Sequence, residues 1–201
     1  MEVSSQAYLK NRVYGLHFDV GVFLNITPDH VGANEHPNFE NYLHCKLQLL
    51  ANANVCVINA ETDRLLQVYQ AAEATTDPEN IYLFAHQDFQ PQVAVQTIDF
   101  RYKSDQANLT HSQFEVYPVT AKAQQIGHAG TYKLSLPGTF NESNAVAAII
   151  TSGLAGSSTA AAQSQLAQAY VPGRMESWKT ENHGMIYADY AHNHASSKSL
   201  L

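Results

Sequence analysis

The stretch VGVFLNITPDHVGANEHPNFENYLHCKLQLL, Val20 to Leu50, decides how the rest of the chain is read. Val20 to Ile26 is an apolar, β-branched run, which predicts a buried strand. Pro28 ends it, leaving Asp29 and His30 just past the strand's carboxyl end, where open α/β sheets bind their ligands. A loop with Gly32, Asn34, Pro37 and Asn38 follows, and Phe39 opens a helix. Phe39, Leu43, Leu47 and Leu50 recur at helical spacing and form one apolar stripe. At about 100° per residue, Lys46 falls inside that stripe. An unpaired buried ammonium is costly, so two readings stand. Lys46 either snorkels to the edge of the sheet, or it loses its charge and reacts as a neutral amine. Reaction with carbon dioxide would give a carbamate, a lysine-borne carboxylate suited to a hard cation.

Outward from this stretch the pattern repeats. Val55 to Asn59 reads as a strand. Thr62 to Ala74 reads as a helix with Leu65, Leu66, Val68, Tyr69 and Ala72 on its apolar side. Asn80 to Ala85 reads as a third strand. Alternating strands and helices predict a parallel sheet covered by helices. Upstream, Gln6 to Val13 predicts a short helix, N-capped by Ser4 or Ser5. A helix start with two hydroxyls and Glu2 also suits a metal–phosphate group, and Arg12 suits a carboxylate or phosphate.

Between Pro91 and Leu136 the period becomes that of strands: Val93 to Ile98, Phe114 to Tyr117 and Thr131 to Leu134 alternate. This predicts a small antiparallel appendage without chemistry, with His111 and His128 on the surface. Asn141 is placed as the N-cap of a helix over Ala145 to Gly153, with Asn144 near its third position. Ser158 to Tyr170 is a further helix. Gly153 to Ser158 lacks the lysine of a phosphate loop and is rejected as one. Pro172 and Gly173 mark a domain junction. Met185 to Ala188 is then a new strand, with Asp189 past its end, where a carboxylate suits ribose hydroxyls. Ala195 to Leu201 begins a helix.

The bulk numbers narrow the function. The chain has 201 residues, 45% hydrophobic and only 14% charged, with a net charge of −7. Nucleic-acid binding rests on Lys and Arg neutralising phosphates, so this balance argues against it; a nucleotide needs only a few local donors. No apolar run approaches the roughly 20 residues of a membrane span, and no signal peptide is evident. Cys45 and Cys56 are isolated and read as reduced. The expected location is the cytoplasm.

Asn25-Ile26-Thr27-Pro28-Asp29-His30, then His36, Phe39, Tyr42 and Lys46, resembles the central-domain signature of the Mur ligases. These are ATP-dependent amide ligases of peptidoglycan precursor synthesis. Gly138-Thr139-Phe140-Asn141-Glu142-Ser143-Asn144 extends the resemblance, Asp189-Tyr190-Ala191-His192 points to the peptidoglycan branch, and Glu2-Val3-Ser4-Ser5 points within it to the ligases that add the third amino acid. The resemblance implies that Lys46 is carbamylated and that Glu2, His30 and Lys46 hold Mg2+. It implies that Ser4, Lys10 and Arg12 contact UDP-N-acetylmuramoyl-dipeptide, although relatives often carry glutamine where Lys10 stands. It also implies that Asn141, Asn144, Arg174 and Asp189 hold ATP, Arg174 reaching its phosphates. After His192 the chain reads Asn193-His194 where most relatives read Thr-Pro.

The implied fold is α/β: a partial Mur ligase central domain over residues 1–172, then the first strand and helix of a Rossmann-like C-terminal domain over 173–201. The implied reaction joins a free amino acid, L-lysine or diaminopimelate, to the dipeptide through an acyl phosphate, in a protein expected to be monomeric. The Gly-Lys-Thr phosphate loop of the family is not in this sequence. It therefore reads as an internal fragment, with little or no activity alone. One alternative is a non-catalytic nucleotide- or metal-binding module. Another is a histidine–metal hydrolase built on His30, His36 and His44, which no HExxH pattern supports.

Overall fold

The structure, a computed structural model, describes residues 1–28, 30–107, 110–181 and 184–189. A short helix α1 (Ser5–Leu9) precedes strand β1 (Phe18–Phe23), helix α2 (Phe39–Ala51), strand β2 (Ala53–Asn59), helix α3 (Leu65–Glu73) and strand β3 (Ile81–His86). Strands β4 (Phe100–Ala107) and β5 (Ser112–Pro118), helix α4 (Ala121–Ile126) and strand β6 (Gly130–Leu134) follow. Helices α5 (Thr139–Leu154) and α6 (Thr159–Leu166) and a hairpin of β7 (Glu176–Thr180) and β8 (Gly184–Ala188) complete the order.

One six-stranded sheet, in the order β1-β2-β3-β4-β5-β6, carries the fold. β1 to β4 are parallel; β5 and β6 run antiparallel. The central strands bury both faces, which is why they read as continuous apolar runs. On one face Cys56, Ile58, Leu83 and Ala85 pack against Leu43 and Leu50 of α2 and Val68 and Ala72 of α3. On the other, Val57, Phe84, Phe114 and Tyr132 pack against Val146, Ile149 and Ile150 of α5. Gly21 lets α2 and β2 close on β1, since a Cβ there would lie 2.8 Å from Ala53 Cβ.

The strand–helix alternation is present, with helices α1 and α3 shorter than predicted: α1 stops at Leu9, and Asn11 then turns the chain at φ 54°. Leu66 lies outside the buried side of α3, at 36% exposed. The antiparallel strands are present but continue the main sheet. Val93 to Ile98 is not a strand. β3 and β4 are parallel, so their connection has to run back across the sheet. Val95 and Ile98 pack on the α3 side of the core without joining a ladder. The Asp99 carboxylate takes the place of a ladder partner instead, accepting from Leu83 N at 2.9 Å and from Thr120 Oγ1 at 2.6 Å.

His128 is a second correction. It is 3% exposed, with φ 64°, and its Nε2 lies 3.0 Å from Ser157 O. The left-handed turn after α4 tucks the ring under the α5–α6 corner, where Gly153 makes room: a Cβ there would sit 2.6 Å from the imidazole. His111 is exposed, as expected. Met185 to Ala188 is a strand, though it pairs antiparallel with β7, which the sequence did not reveal. The helix expected from Ala195 and the stretch from Tyr190 lie outside the described residues. No helix among the described residues is long and apolar enough to cross a membrane.

Candidate functional site

The parallel strands end together, and the residues singled out in the sequence gather at two places along that edge. The first is the end of β1. Lys46 projects from the third turn of α2 and is half-buried. Its Nζ donates to Asn25 O at 3.2 Å and lies 5.5 Å from the Tyr42 ring centre and 5.9 Å from that of Phe23. The edge of the His30 ring meets the same Tyr42 from another side, with centroids 5.7 Å apart. His30 is left-handed at φ 54°, and its Nδ1 lies 3.3 Å from Glu35 Oε1. Tyr42 thus brings His30 and Lys46 together.

His36 ties this corner down. It is fully buried, its Nδ1 lies 2.7 Å from Asn41 Oδ1, and its Nε2 lies 2.9 Å from Ser5 Oγ. With Nδ1–H donating to the amide oxygen, Nε2 is the acceptor and the Ser5 hydroxyl donates to it. The start of α1 is thereby pinned to the first turn of α2, and Glu2 and Ser4 stand just upstream, both exposed. Ser4 occupies the N-cap position of α1 without a side-chain cap bond. Lys10 and Arg12 are exposed on the turn that follows. Asn41 has no assigned role in the sequence, Ser5 reads there only as a capping candidate and His36 only as a motif or metal-ligand candidate; the spacing of His36 and Asn41 is visible, the partnership with Ser5 is not.

The donors at this corner decide which metal could bind. Among the described residues, no three of His, Cys, Asp and Glu stand close enough to hold an ion. His36 has both ring nitrogens engaged and His44 is exposed on the far flank of α2, so the histidine–metal hydrolase reading has no zinc-type ligand set. A hard cation that keeps water and takes phosphate oxygens needs only one or two protein carboxylates. By their chemistry Glu2 and Lys46, the latter if carbamylated, would supply such oxygens, with the His30 imidazole near Lys46.

The second place is the start of α5. Its N-cap is Gly138, at φ 98°, where a Cβ would lie 2.7 Å from the Phe140 ring. Asn141 is therefore not the N-cap. It is the third helical residue, buried, with Nδ2 donating back to Pro137 O at 2.7 Å. Asn144 lies one turn on and is exposed. Between them Glu142 is fully buried and bonded to Ser104 Oγ, and Ser143 Oγ accepts from Asn59 Nδ2 at 3.2 Å. Nearby, Glu61 Oε1 accepts from His86 N at 2.7 Å and from the Tyr102 hydroxyl at 3.4 Å. Burial and the neighbouring Glu61 hold the Tyr102 phenol well above its ordinary pKa. None of this network was read from the sequence.

Arg174 and Asp189 stand at the open end of the β7–β8 hairpin. Asp189 Oδ2 accepts from Met175 N at 2.8 Å, across the left-handed turn at Gly173 and Met175. Arg174, on that turn, is exposed.

Comparison with known proteins agrees with this geometry. The profile of the Mur ligase middle domain matches residues 1–152. The chain is 60% identical to a UDP-N-acetylmuramyl-tripeptide synthetase of Latilactobacillus sakei, over all of this chain and 39% of that protein. It is 42% identical to a UDP-N-acetylmuramoyl-L-alanyl-D-glutamate–L-lysine ligase of Enterococcus faecalis, over all of this chain and 37% of that one. The chain thus spans about two fifths of the length of the curated relatives it matches. Among solved structures, MurF from Acinetobacter baumannii superposes over 90% of this chain and 36% of its own, with a TM-score of 0.70 at 19% identity. A UDP-N-acetylmuramoyl-L-alanyl-D-glutamate–2,6-diaminopimelate ligase covers 99% of this chain and 39% of its own, with a TM-score of 0.68 at 24% identity. The likeness to solved structures lies in the fold, and with the match over residues 1–152 it means that the chain belongs to the Mur ligase family.

Proposed function

We propose that this chain is the ATP-using part of an amide ligase that joins a third amino acid to UDP-N-acetylmuramoyl-L-Ala-D-Glu. The observation that carries the reading is the meeting of His30 and Lys46 on Tyr42 at the end of β1, with the start of α1 pinned beside it through Ser5 and His36. Two of the three expected magnesium-binding residues stand together, and Glu2 lies on the segment held next to them.

In this reading Asn141, Asn144, Arg174 and Asp189 hold the nucleotide, and Ser4, Lys10 and Arg12 hold the UDP-sugar dipeptide. Residues 1–172 form the central domain and 173–201 open the next one. The dipeptide's terminal carboxylate attacks the γ-phosphorus and ADP leaves. The amine of the incoming amino acid then attacks the acyl carbon, and phosphate leaves. Bound by Glu2, His30 and carbamylated Lys46, magnesium would neutralise charge between the phosphoryl group and the carboxylate. Lys46 supplies its oxygen donors as a carbamate. His30 is held toward the site by its left-handed backbone and by Tyr42. The name of the Enterococcus relative supports L-lysine as the amine over diaminopimelate. The reaction draws on nucleotide-linked precursors, which supports a cytoplasmic protein, and the family resemblance implies a monomer.

These 201 residues hold no Gly-Lys-Thr loop. The chain by itself is expected to bind ATP with magnesium and bicarbonate through Asn141, Asn144, Arg174 and Asp189 and, without that loop, not to turn it over. Calorimetry tests the first half: measurable ATP binding, lost on Asn144→Ala, supports the nucleotide site. An assay of ADP release with dipeptide and amino acid tests the second, and steady turnover by the isolated chain would refute it.

A further inference from the structure

Beyond its first turn, the inward face of α5 is apolar: Ala145, Val146, Ile149 and Ile150 are all 5% exposed or less. Three and four residues back along that face stands Glu142, fully buried. A carboxyl in such a stripe is expensive, and an apolar side chain would fill it without that cost. What the carboxyl does is reach the sheet. Ser104 Oγ of β4 donates to its Oε2. Its Oε1 and the hydroxyl of Ser112, itself buried on β5, are cut off from solvent, and neither makes a hydrogen bond of ordinary geometry. Native interiors keep such atoms only for a reason.

The neighbouring residue is held from below as well. Ser143 takes the Asn59 amide from the end of β2 and faces the Tyr102 hydroxyl, which leans on Glu61. Glu142 and Ser143 are thus gripped by β2 and β4, with Ser112 of β5 beside the carboxyl. They lie between Asn141, turned inward onto Pro137, and Asn144, turned outward. An asparagine amide offers one donor and one acceptor, which matches an adenine edge only in a fixed direction.

We propose that Glu142 is a positioning residue for the nucleotide: seated on Ser104, it fixes the first turn of α5 and so sets the direction in which Asn144 meets the base. This rests on the nucleotide reading above.

The test uses the 201-residue chain and two readouts, hydrogen exchange of the amides of 139–144 without ligand, and calorimetry with ATP and magnesium. Glu142→Leu suits the apolar stripe and is expected to melt cooperatively. It should loosen those amides and weaken ATP binding by about tenfold or more. Glu142→Gln, which keeps a polar reach to both serines, should restore affinity to within about threefold. Ser104→Ala, which removes the seat without touching the helix, should shift both readouts in the same direction by less. The proposal is overturned if Glu142→Leu leaves affinity unchanged while Asn144→Ala abolishes it, or if Gln fails to rescue. If Asn144→Ala leaves affinity unchanged, the nucleotide reading itself fails, and this separates the two.

Discussion

Helices α2 and α5 lie on opposite faces of one sheet, and each sets a single ionisable side chain into an apolar stripe. On α2 it is Lys46, half-buried near the strand ends, with its ammonium against two aromatic faces and a backbone carbonyl. On α5 it is Glu142, sealed from solvent and met by the Ser104 hydroxyl of the neighbouring strand β4. The first can reach a ligand; the second can only hold something that does. Burial, more than residue type, separates a residue that touches from a residue that positions.

The comparison breaks first at Lys46. Labelled bicarbonate is expected to give a carbamate carbon signal in the natural chain, and Lys46→Arg should remove it entirely. Glu142→Gln should leave it intact. A natural chain with no such signal under saturating bicarbonate would return Lys46 to a snorkelling ammonium, and the contrast with Glu142 would then be one of burial alone.

The two stripes themselves are the next test. Leu50 on α2 and Ile150 on α5 are both fully buried. Truncating either to alanine should cost about 2–5 kcal/mol, measured by urea unfolding. If the sheet and both helix layers unfold as one unit, the two variants keep the natural slope against urea. A changed slope in only one would mean that the faces unfold separately.

Legibility differed between the helices for a physical reason. Around α2 the signals were local: Pro28 stopped the strand, Asn38 preceded a clean apolar period, and Lys46 stood out against it. At α5 the early asparagines looked like capping residues, so the helix was started too late and Glu142 fell outside the stripe it belongs to. The spacing from Glu142 to Ala145, Val146, Ile149 and Ile150 was in the sequence all along. The partners were not: Ser104, Ser112, Asn59 and Tyr102 come from strands brought together only by the fold, one of which, β4, was itself missed. Val93 to Ile98 failed the other way. Its alternation was real, but a backbone crossing between parallel strands has no ladder to join. Ser5 meeting His36 across 31 positions was likewise beyond any local pattern.

A third test titrates the buried acid. Burial raises the Glu142 carboxyl above its ordinary pKa, with the Ser104 and Ser112 hydroxyls and nearby His86 opposing the shift and Asp105 adding to it. The folded chain therefore holds this proton more tightly than the unfolded one. Stability is greatest below the ordinary glutamate value of about 4.3 and falls as pH rises from there through the raised folded value. Glu142→Gln has no such proton to lose. The melting midpoint of the Gln variant, relative to the natural chain, should rise steadily from acid toward neutral pH. Asp99, raised in the same direction by its own burial, is common to both proteins and drops out of the difference. A constant offset across that range would mean that Glu142 does not titrate with folding.

The smallest expected effect separates the two helix starts. Asn38 caps α2 through its side chain, accepting from Asn41 N at 2.8 Å, and the backbone it holds also carries Asn41 to His36. Asn38→Ala should cost about 1 kcal/mol, the usual worth of such a cap. Asn38→Asp, which keeps the acceptor, should cost much less. At α5 the cap position is glycine, and the asparagine three residues on donates to Pro137 O instead of accepting. Asn141→Asp therefore removes the only donor in that contact and sets a carboxylate against a carbonyl oxygen. The same Asn-to-Asp exchange should be mild at Asn38 and harmful at Asn141, read by thermal melts at neutral pH. Equal responses at the two sites would mean that Asn141 acts as a cap after all, and that the first turn of α5 is held differently from the geometry described above.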